Sequence, residues 1–345
     1  MVDMTVSDEL SPVLRQASEM EQRGEIREAI DLLTEANRRR QDGEIERALV
    51  HLRREGGRAT PVVAPAHPQS ITVDPRGGPL FEVDPGDLTV ASIQEGFAVS
   101  GCVLVRGLVP VDRARRLAAG MDAALDAYDA ATSGSGPVDH AWYDPRPMPD
   151  RTAAGLPDDV HREFLRGRGA LWTADSPRML FELFELIDDL GLGSLMTELL
   201  GERPLLSGIK GTMRRVPPDV EVEGRWHQDG AFLGEQVGAL NIWVTLSRCG
   251  RDAPGLDIVP KRIDHVVTDA EARFDWSLSD AAVLEAAGGT PIVRPEFEIG
   301  DALLFDQLLV HRTGASPGMV HERHAIESWF FSPSAYPIGQ LPILY

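Results

Sequence analysis

The stretch Trp226-His227-Gln228-Asp229, answered much later by His311 and then by Arg323, constrains this chain more than any other feature. Two imidazoles and one carboxylate in this order suit a facial triad, which holds a metal from one side and leaves the opposite positions open. Side chains on a strand alternate with period 2, so a His and an Asp two residues apart point the same way and clasp one ion without a special loop. The third ligand then arrives from a distant segment. His311 closes the run from Gly300-Asp301 to Val310, a turn followed by mostly apolar residues, which suits a buried sandwich strand with the ligand at its end. N,N,O ligation with open positions is the geometry of Fe(II) oxygenases, whereas structural zinc is closed by four ligands, usually including thiolates.

A His-x-Asp pair alone recurs by chance, and the conjunction carries the argument. His51, His67, His140 and His161 lie in polar or Pro-rich surroundings and receive no metal role. His321 and His324 flank Arg323 and read as strand or loop residues; His265 follows Pro260-Lys261-Arg262 near the site, but a fourth ligand would fill the position oxygen needs. The two cysteines, Cys102 and Cys249, fall in expected strands and read as buried thiols of a reducing cytosol, too few for a thiolate zinc site.

With 345 residues, 43% of them hydrophobic, the chain supports one large domain or a domain with an appendage. No apolar run approaches the ~20 residues needed to span a bilayer, and no secretory pattern opens the chain, so a cytoplasmic protein is expected. The balance of 34 basic and 54 acidic residues, net −20, argues against a nucleic-acid partner; the partner expected is a small-molecule substrate. It also lowers the expectation of a CoA thioester, whose phosphates want a basic cluster; Lys210, Arg214, Arg215, Lys261 and Arg262 are the candidates for one.

The expected organisation is an N-terminal helical segment over 1–55, a Pro- and Gly-rich linker or strap over 56–88, and the main domain over 89–345. Leu14, Ala17, Ala29, Ile30, Leu33, Leu49 and Leu52 recur at helical spacing and predict two or three amphipathic helices that pack on the main domain or on a second subunit, giving a homo-oligomer. Residues 133–155 read as a long loop, either a lid or an inert surface segment. A helix is expected from Val111 to about Ala130, a helix pair from Met179 to Leu200, an acidic helix from Thr268 to Ala287, and a buried final strand over Ala325–Phe331.

These residues resemble the phytanoyl-CoA dioxygenase family of Fe(II)- and 2-oxoglutarate-dependent oxygenases over roughly residues 90 to 335. The likeness begins with an opening strand in Gly96–Leu108 and continues through Thr212-Met213-Arg214-Arg215-Val216-Pro217-Pro218, Trp226–Gly230 and Asn241–Leu246. Ala253–Pro260 stands where the family usually writes Gly-Leu-x-x-x-Pro-Gly-Ser-His, with Lys261-Arg262 in place of the Gly-Ser. The interval from His311 to Arg323 is about one residue longer than usual.

The resemblance implies an α+β fold whose core is a double-stranded β-helix (a cupin-like jelly roll) with flanking helices. It implies Fe(II) on His227, Asp229 and His311, with 2-oxoglutarate and dioxygen as cosubstrates and Arg323 on the distal carboxylate of 2-oxoglutarate. Independently, a guanidinium forms bidentate, charge-assisted pairs with carboxylates and stays charged when enclosed. By position Thr313, Trp243 and Thr212 are cosubstrate neighbours, though Trp243 serves equally as a packed core aromatic. Related halogenases replace the carboxylate ligand with a small residue; Asp229 is retained, which favours hydroxylation or a related oxidation. The substrate classes in view are lipid-like acyl groups, natural-product intermediates and amino-acid derivatives. Two other readings stand beside this one: a cupin-like metal enzyme that does not use 2-oxoglutarate, and an interaction protein with a vestigial barrel.

Overall fold

The computed structural model describes residues 7–60, 71–134, 136–147, 157–218, 225–337 and 339–345. Three helices come first, α1 (Ser7–Gln22), α2 (Ile26–Arg39) and α3 (Gly43–Ala59), followed by β1 (Glu82–Val83), α4 (Val90–Ser100), β2 (Cys102–Val105) and α5 (Val111–Ser133). Then come α6 (Asp158–Arg166), β3 (Ala170–Trp172), α7 (Pro177–Asp189), α8 (Leu192–Leu200), β4 (Leu205–Ser207), β5 (Thr212–Val216), β6 (Trp226–His227) and a single turn, α9 (Gly230–Leu233). The chain finishes with β7 (Ala239–Thr245), β8 (Gly255–Ile258), β9 (Ser277–Leu278), α10 (Asp280–Ala287), β10 (Ala302–Phe305), β11 (His311–Gly314), β12 (Arg323–Phe331) and β13 (Pro342–Leu344).

These strands form the two sheets of a double-stranded β-helix. A nine-stranded sheet runs β1-β2-β10-β7-β12-β4-β13, with β5 and then β3 beside the first half of β12. A four-stranded sheet runs β8-β11-β6-β9. Both faces of the large sheet are buried, which is why its strands read as continuous apolar runs. On β10 and β7, Leu304, Ile242 and Val244 face the layer of α4, α5, α7 and α8, while Leu303, Phe305 and Trp243 join Leu256 and Ile258 between the sheets. β12 repeats this alternation: Ile326 and Phe330 face the helices, and Ala325 and Trp329 face the interior. Each large side chain so enclosed contributes about 1.5–3 kcal/mol.

The N-terminal helices dock on the same chain. Leu33, Ile45, Leu49 and Leu52 pack with Phe181, Leu205 and Leu344, and the fully buried Glu46 pairs with Arg178 at 2.6 Å. Gly56 and Gly57 bring α3 against β13; a Cβ on Gly57 would lie 2.2 Å from the Pro342 carbonyl oxygen. Of the expected strap over 56–88, residues 56–59 instead complete α3, and 61–70 lie outside the described residues, as do 135 and 148–155 of the expected loop.

Three local expectations are corrected. The first half of Gly96–Leu108 ends a helix, α4, and Gly101 in the left-handed region (φ 74°) turns the chain into β2. Within Thr268–Ala287 only Asp280–Ala287 is helical. Asp269 accepts the backbone N–H groups of Glu271 and Ser279, a local arrangement that competes with the helix, and Ser279 then caps α10. β12 is longer than expected and is not last, because β13 returns to pair with β4.

The Lys261-Arg262 departure is structural. Arg262 Nη1 donates to Asp306 Oδ2 at 2.5 Å and Nη2 to the Ile71 carbonyl, all buried, while Lys261 Nζ donates to the Ala286 and Ala287 carbonyls at the end of α10. Burial raises the Asp306 carboxyl against the opposing pull of Arg262. Arg262→Leu strands that carboxylate in the interior and should cost about 3–5 kcal/mol in denaturant unfolding, much of it recovered when Asp306 is also made apolar.

Candidate active site

β6 ends at His227, and Asp229 already has the backbone of a helical turn (φ −63°, ψ −24°). The two side chains therefore converge through a strand-to-turn bend, not through the alternation of one continuous strand. Gln228, between them, is buried and ties the bend down. Its Nε2 donates to the His265 and Leu308 carbonyls, its Oε1 accepts from Val267 N, and Gly230 N donates to the Gln307 carbonyl. β11 pairs antiparallel with β6 so that His311 sits directly opposite His227.

The result is one compact donor set. The ring centroids of His227 and His311 are 4.3 Å apart, His311 Nε2 lies 3.7 Å from Asp229 Oδ2, and one donor atom from each residue falls within 4.8 Å of the others. His227 Nδ1 bonds the Arg225 carbonyl at 2.9 Å and His311 Nδ1 the Leu309 carbonyl at 3.0 Å. A carbonyl only accepts, so both Nδ1 atoms carry a proton and Nε2 is the ring nitrogen each His has left to offer a metal. Burial, then the neighbouring His311, lowers His227 to about 3, so its ring is neutral. Burial pushes the Asp229 carboxyl up, but the opposing pull of its neighbours, Lys210 foremost, holds the group below the usual carboxylate range. Asp229 Oδ2 is buried without a hydrogen-bond partner, which is the atom a cation would satisfy.

Arg323 begins β12 and is 1% exposed, facing inward. Its Nη1 donates to the Gly255 carbonyl at 2.7 Å, its Nε has no partner, and among the described residues it makes no ion pair. Burial lowers it to about 10. Trp243 lies beneath, its ring 5.6 Å from the guanidinium carbon and packed edge-on against Phe297. Thr313 follows His311 by two on β11 and pairs with Leu256, beside the Gly255 that Arg323 contacts. Thr212 Oγ1 instead donates to Glu327 Oε2 at 3.3 Å. His265 is exposed and bonded to Asp264, outside the donor set.

Three features of the site went unread in the sequence. Lys210 Nζ reaches Asp229 Oδ1 at 2.7 Å; Arg214, next to Arg323 in the sheet interior, has a buried Nε without a partner; and Phe232 and Trp276 flank His227, with Phe274 stacked on Trp276 at 5.5 Å. Their only sequence signal was an aromatic Phe274-x-Trp276 in a polar segment and a basic cluster. That cluster is dispersed: Arg215 pairs with Asp122, Arg262 with Asp306 and Lys210 with Asp229.

The sequence profile described as Phytanoyl-CoA dioxygenase (PhyH) matches residues 97–325, a span that holds the donor set and Arg323. The chain belongs to the phytanoyl-CoA dioxygenase family. No curated protein matches it by sequence. Among solved structures, EctD from S. alaskensis, crystallised with 2-oxoglutarate and 5-hydroxyectoine, is similar at 17% identity and TM-score 0.51, over 80% of this chain and 84% of its own. AviO1 from Streptomyces viridochromogenes Tue57 shares 19% identity over 73% and 98% of the two chains with TM-score 0.44. SnoK, a non-heme alpha-ketoglutarate-dependent carbocyclase from nogalamycin biosynthesis, shares 14% over 73% and 87% with TM-score 0.46. The likeness to EctD supports the β-helix fold of this family member. No helix among its described residues is long and apolar enough to cross a membrane.

Proposed function

We propose that this member of the family is an Fe(II)- and 2-oxoglutarate-dependent dioxygenase that hydroxylates, or otherwise oxidises, an unactivated C–H bond of a small organic substrate. The observation that carries the reading is a buried guanidinium with no carboxylate partner among the described residues, on the inner sheet face of a barrel that also encloses a His, His and carboxylate set. His227 Nε2, His311 Nε2 and Asp229 Oδ2 would hold the iron. Arg323 would receive the distal carboxylate of 2-oxoglutarate, with Trp243 below it and Thr313 alongside. When bound, iron with 2-oxoglutarate and dioxygen supplies the oxidising power and yields succinate and CO₂. The residues do the remainder: the backbone carbonyls fix both imidazoles, Gln228 fixes the bend, and the apolar residues between the sheets keep water out.

The dispersal of the basic residues favours a substrate other than a CoA thioester. The rim of Phe232, Phe274 and Trp276 suits an apolar or planar molecule, such as a natural-product or lipid-like intermediate, because two large aromatic side chains, Phe232 and Phe274, stand exposed there. The test is an anaerobic titration of metal-free protein with Fe(II) and then 2-oxoglutarate. A weak visible charge-transfer band that requires both additions is expected. Its absence, with iron bound, would leave the cupin-like enzyme that does not use 2-oxoglutarate as the better reading.

A further inference from the structure

Asp229 has two oxygens, and the structure treats them differently. Oδ1 accepts from Lys210 Nζ at 2.7 Å, while Oδ2 is buried, bonded to nothing, and turned toward His311. Lys210 is itself confined. It lies on the turn between β4 and β5, where its backbone N–H donates to Ser207 Oγ at 3.0 Å and the Gly211 N–H to the Ser207 carbonyl. Its Nζ sits 4.6 Å from the centre of the Phe232 ring, 5.7 Å from that of Trp329, and 3.8 Å from Glu327 Oε1.

We propose that Lys210 is a positioning residue of the metal site, occupying Oδ1 so that Asp229 offers a metal Oδ2 alone. The inference rests on the reading of the triad as a metal centre. A carboxylate that turns both oxygens to a metal fills one position more than a carboxylate bound through one. Three single-atom ligands leave three positions of an octahedral ion, two for a keto acid and one for oxygen; a bidentate Asp229 leaves one too few. An ammonium suits the task because it has three donors and no acceptor, so it holds Oδ1 and cannot itself become a ligand. Glu327 and the two aromatic faces keep the charge in place.

The test uses the full chain loaded anaerobically with Co(II), whose visible spectrum changes with coordination number, and titrated with 2-oxoglutarate. Wild type and Lys210→Arg should bind one Co(II) and respond alike. Lys210→Met should still bind Co(II), with a visible spectrum that differs from wild type, and should need at least tenfold more 2-oxoglutarate. Lys210→Ala, which also removes the donor, should behave as Lys210→Met and serves if the Met variant does not fold; a wild-type spectrum and 2-oxoglutarate affinity there would overturn the proposal equally. An unchanged spectrum and unchanged 2-oxoglutarate affinity in Lys210→Met would overturn the proposal, because the ammonium would then be only a stand-in for a cation. Loss of Co(II) binding in a folded Lys210→Met would overturn it as well. Failure of the wild type to bind Co(II) would instead sink the metal-centre reading itself, so the two failures are told apart.

Discussion

Asp229→Ala should lose metal binding and 2-oxoglutarate turnover together. Losing the single anionic ligand from a buried site costs on the order of 4 kcal/mol, about a thousandfold in metal affinity. His227 and His311 remain, their ring centroids 4.3 Å apart, but imidazole ligands supply no negative charge to offset that of a divalent ion. The fold should survive. The partner left behind, Lys210, has a side chain 21% exposed and keeps Glu327 within 3.8 Å, so its desolvation is partial and the stability loss should be about 1 kcal/mol. Metal content per folded chain and succinate formation are the measurements. Metal-dependent activity at the wild-type level would remove Asp229 from the site.

Arg323→Ala should leave metal binding intact and raise the 2-oxoglutarate requirement. A buried bidentate guanidinium–carboxylate pair lost on one side costs about 2–4 kcal/mol, roughly 30- to 1,000-fold in apparent affinity. Among the described residues this arginine has no carboxylate to abandon, only the Gly255 carbonyl, so truncation strands no charge there. Arg323→Lys keeps the charge but not the planar fork and should fall between. A series of keto acids sharpens the result: wild type should prefer 2-oxoglutarate to 2-oxovalerate, which lacks the distal carboxylate, and Arg323→Ala should not. Equal preference in both proteins would show that Arg323 grips something else.

The legible part of this protein and the hidden part differ in kind. Buried strands could be anticipated because they carry their environment in their own residues: Leu303-Leu304-Phe305 and Ala325-Ile326 are apolar on both faces, as strands enclosed on both sides must be. That they close into a double-stranded β-helix came from the family resemblance and not from their composition. The residues of the donor set could be picked out because metal ligation restricts residue type so severely. Their alignment is another matter: alternation along one strand does not bring His227 and Asp229 together, because the strand stops at His227, and it is Gln228, bonded across to 265 and 308, that shapes the bend. The helix expected from Thr268 failed for a related reason: the competition between Asp269 and the helix is settled by contacts within a loop, which helical periodicity does not register.

Taken alone, the sequence determined which atoms are available for chemistry: two imidazoles, one carboxylate and a guanidinium, in an order that suits one side of a metal, on a chain apolar enough to enclose them. Only the tertiary structure decided how those atoms are turned. That Lys210 meets Oδ1 and not Oδ2, that Arg262 is consumed by Asp306, and that Arg323 meets no carboxylate among the described residues are outcomes of how elements far apart along the chain approach each other. Local sequence fixes residue type and strand period; the distance between two charges on different sheets is set by the packing of everything between them.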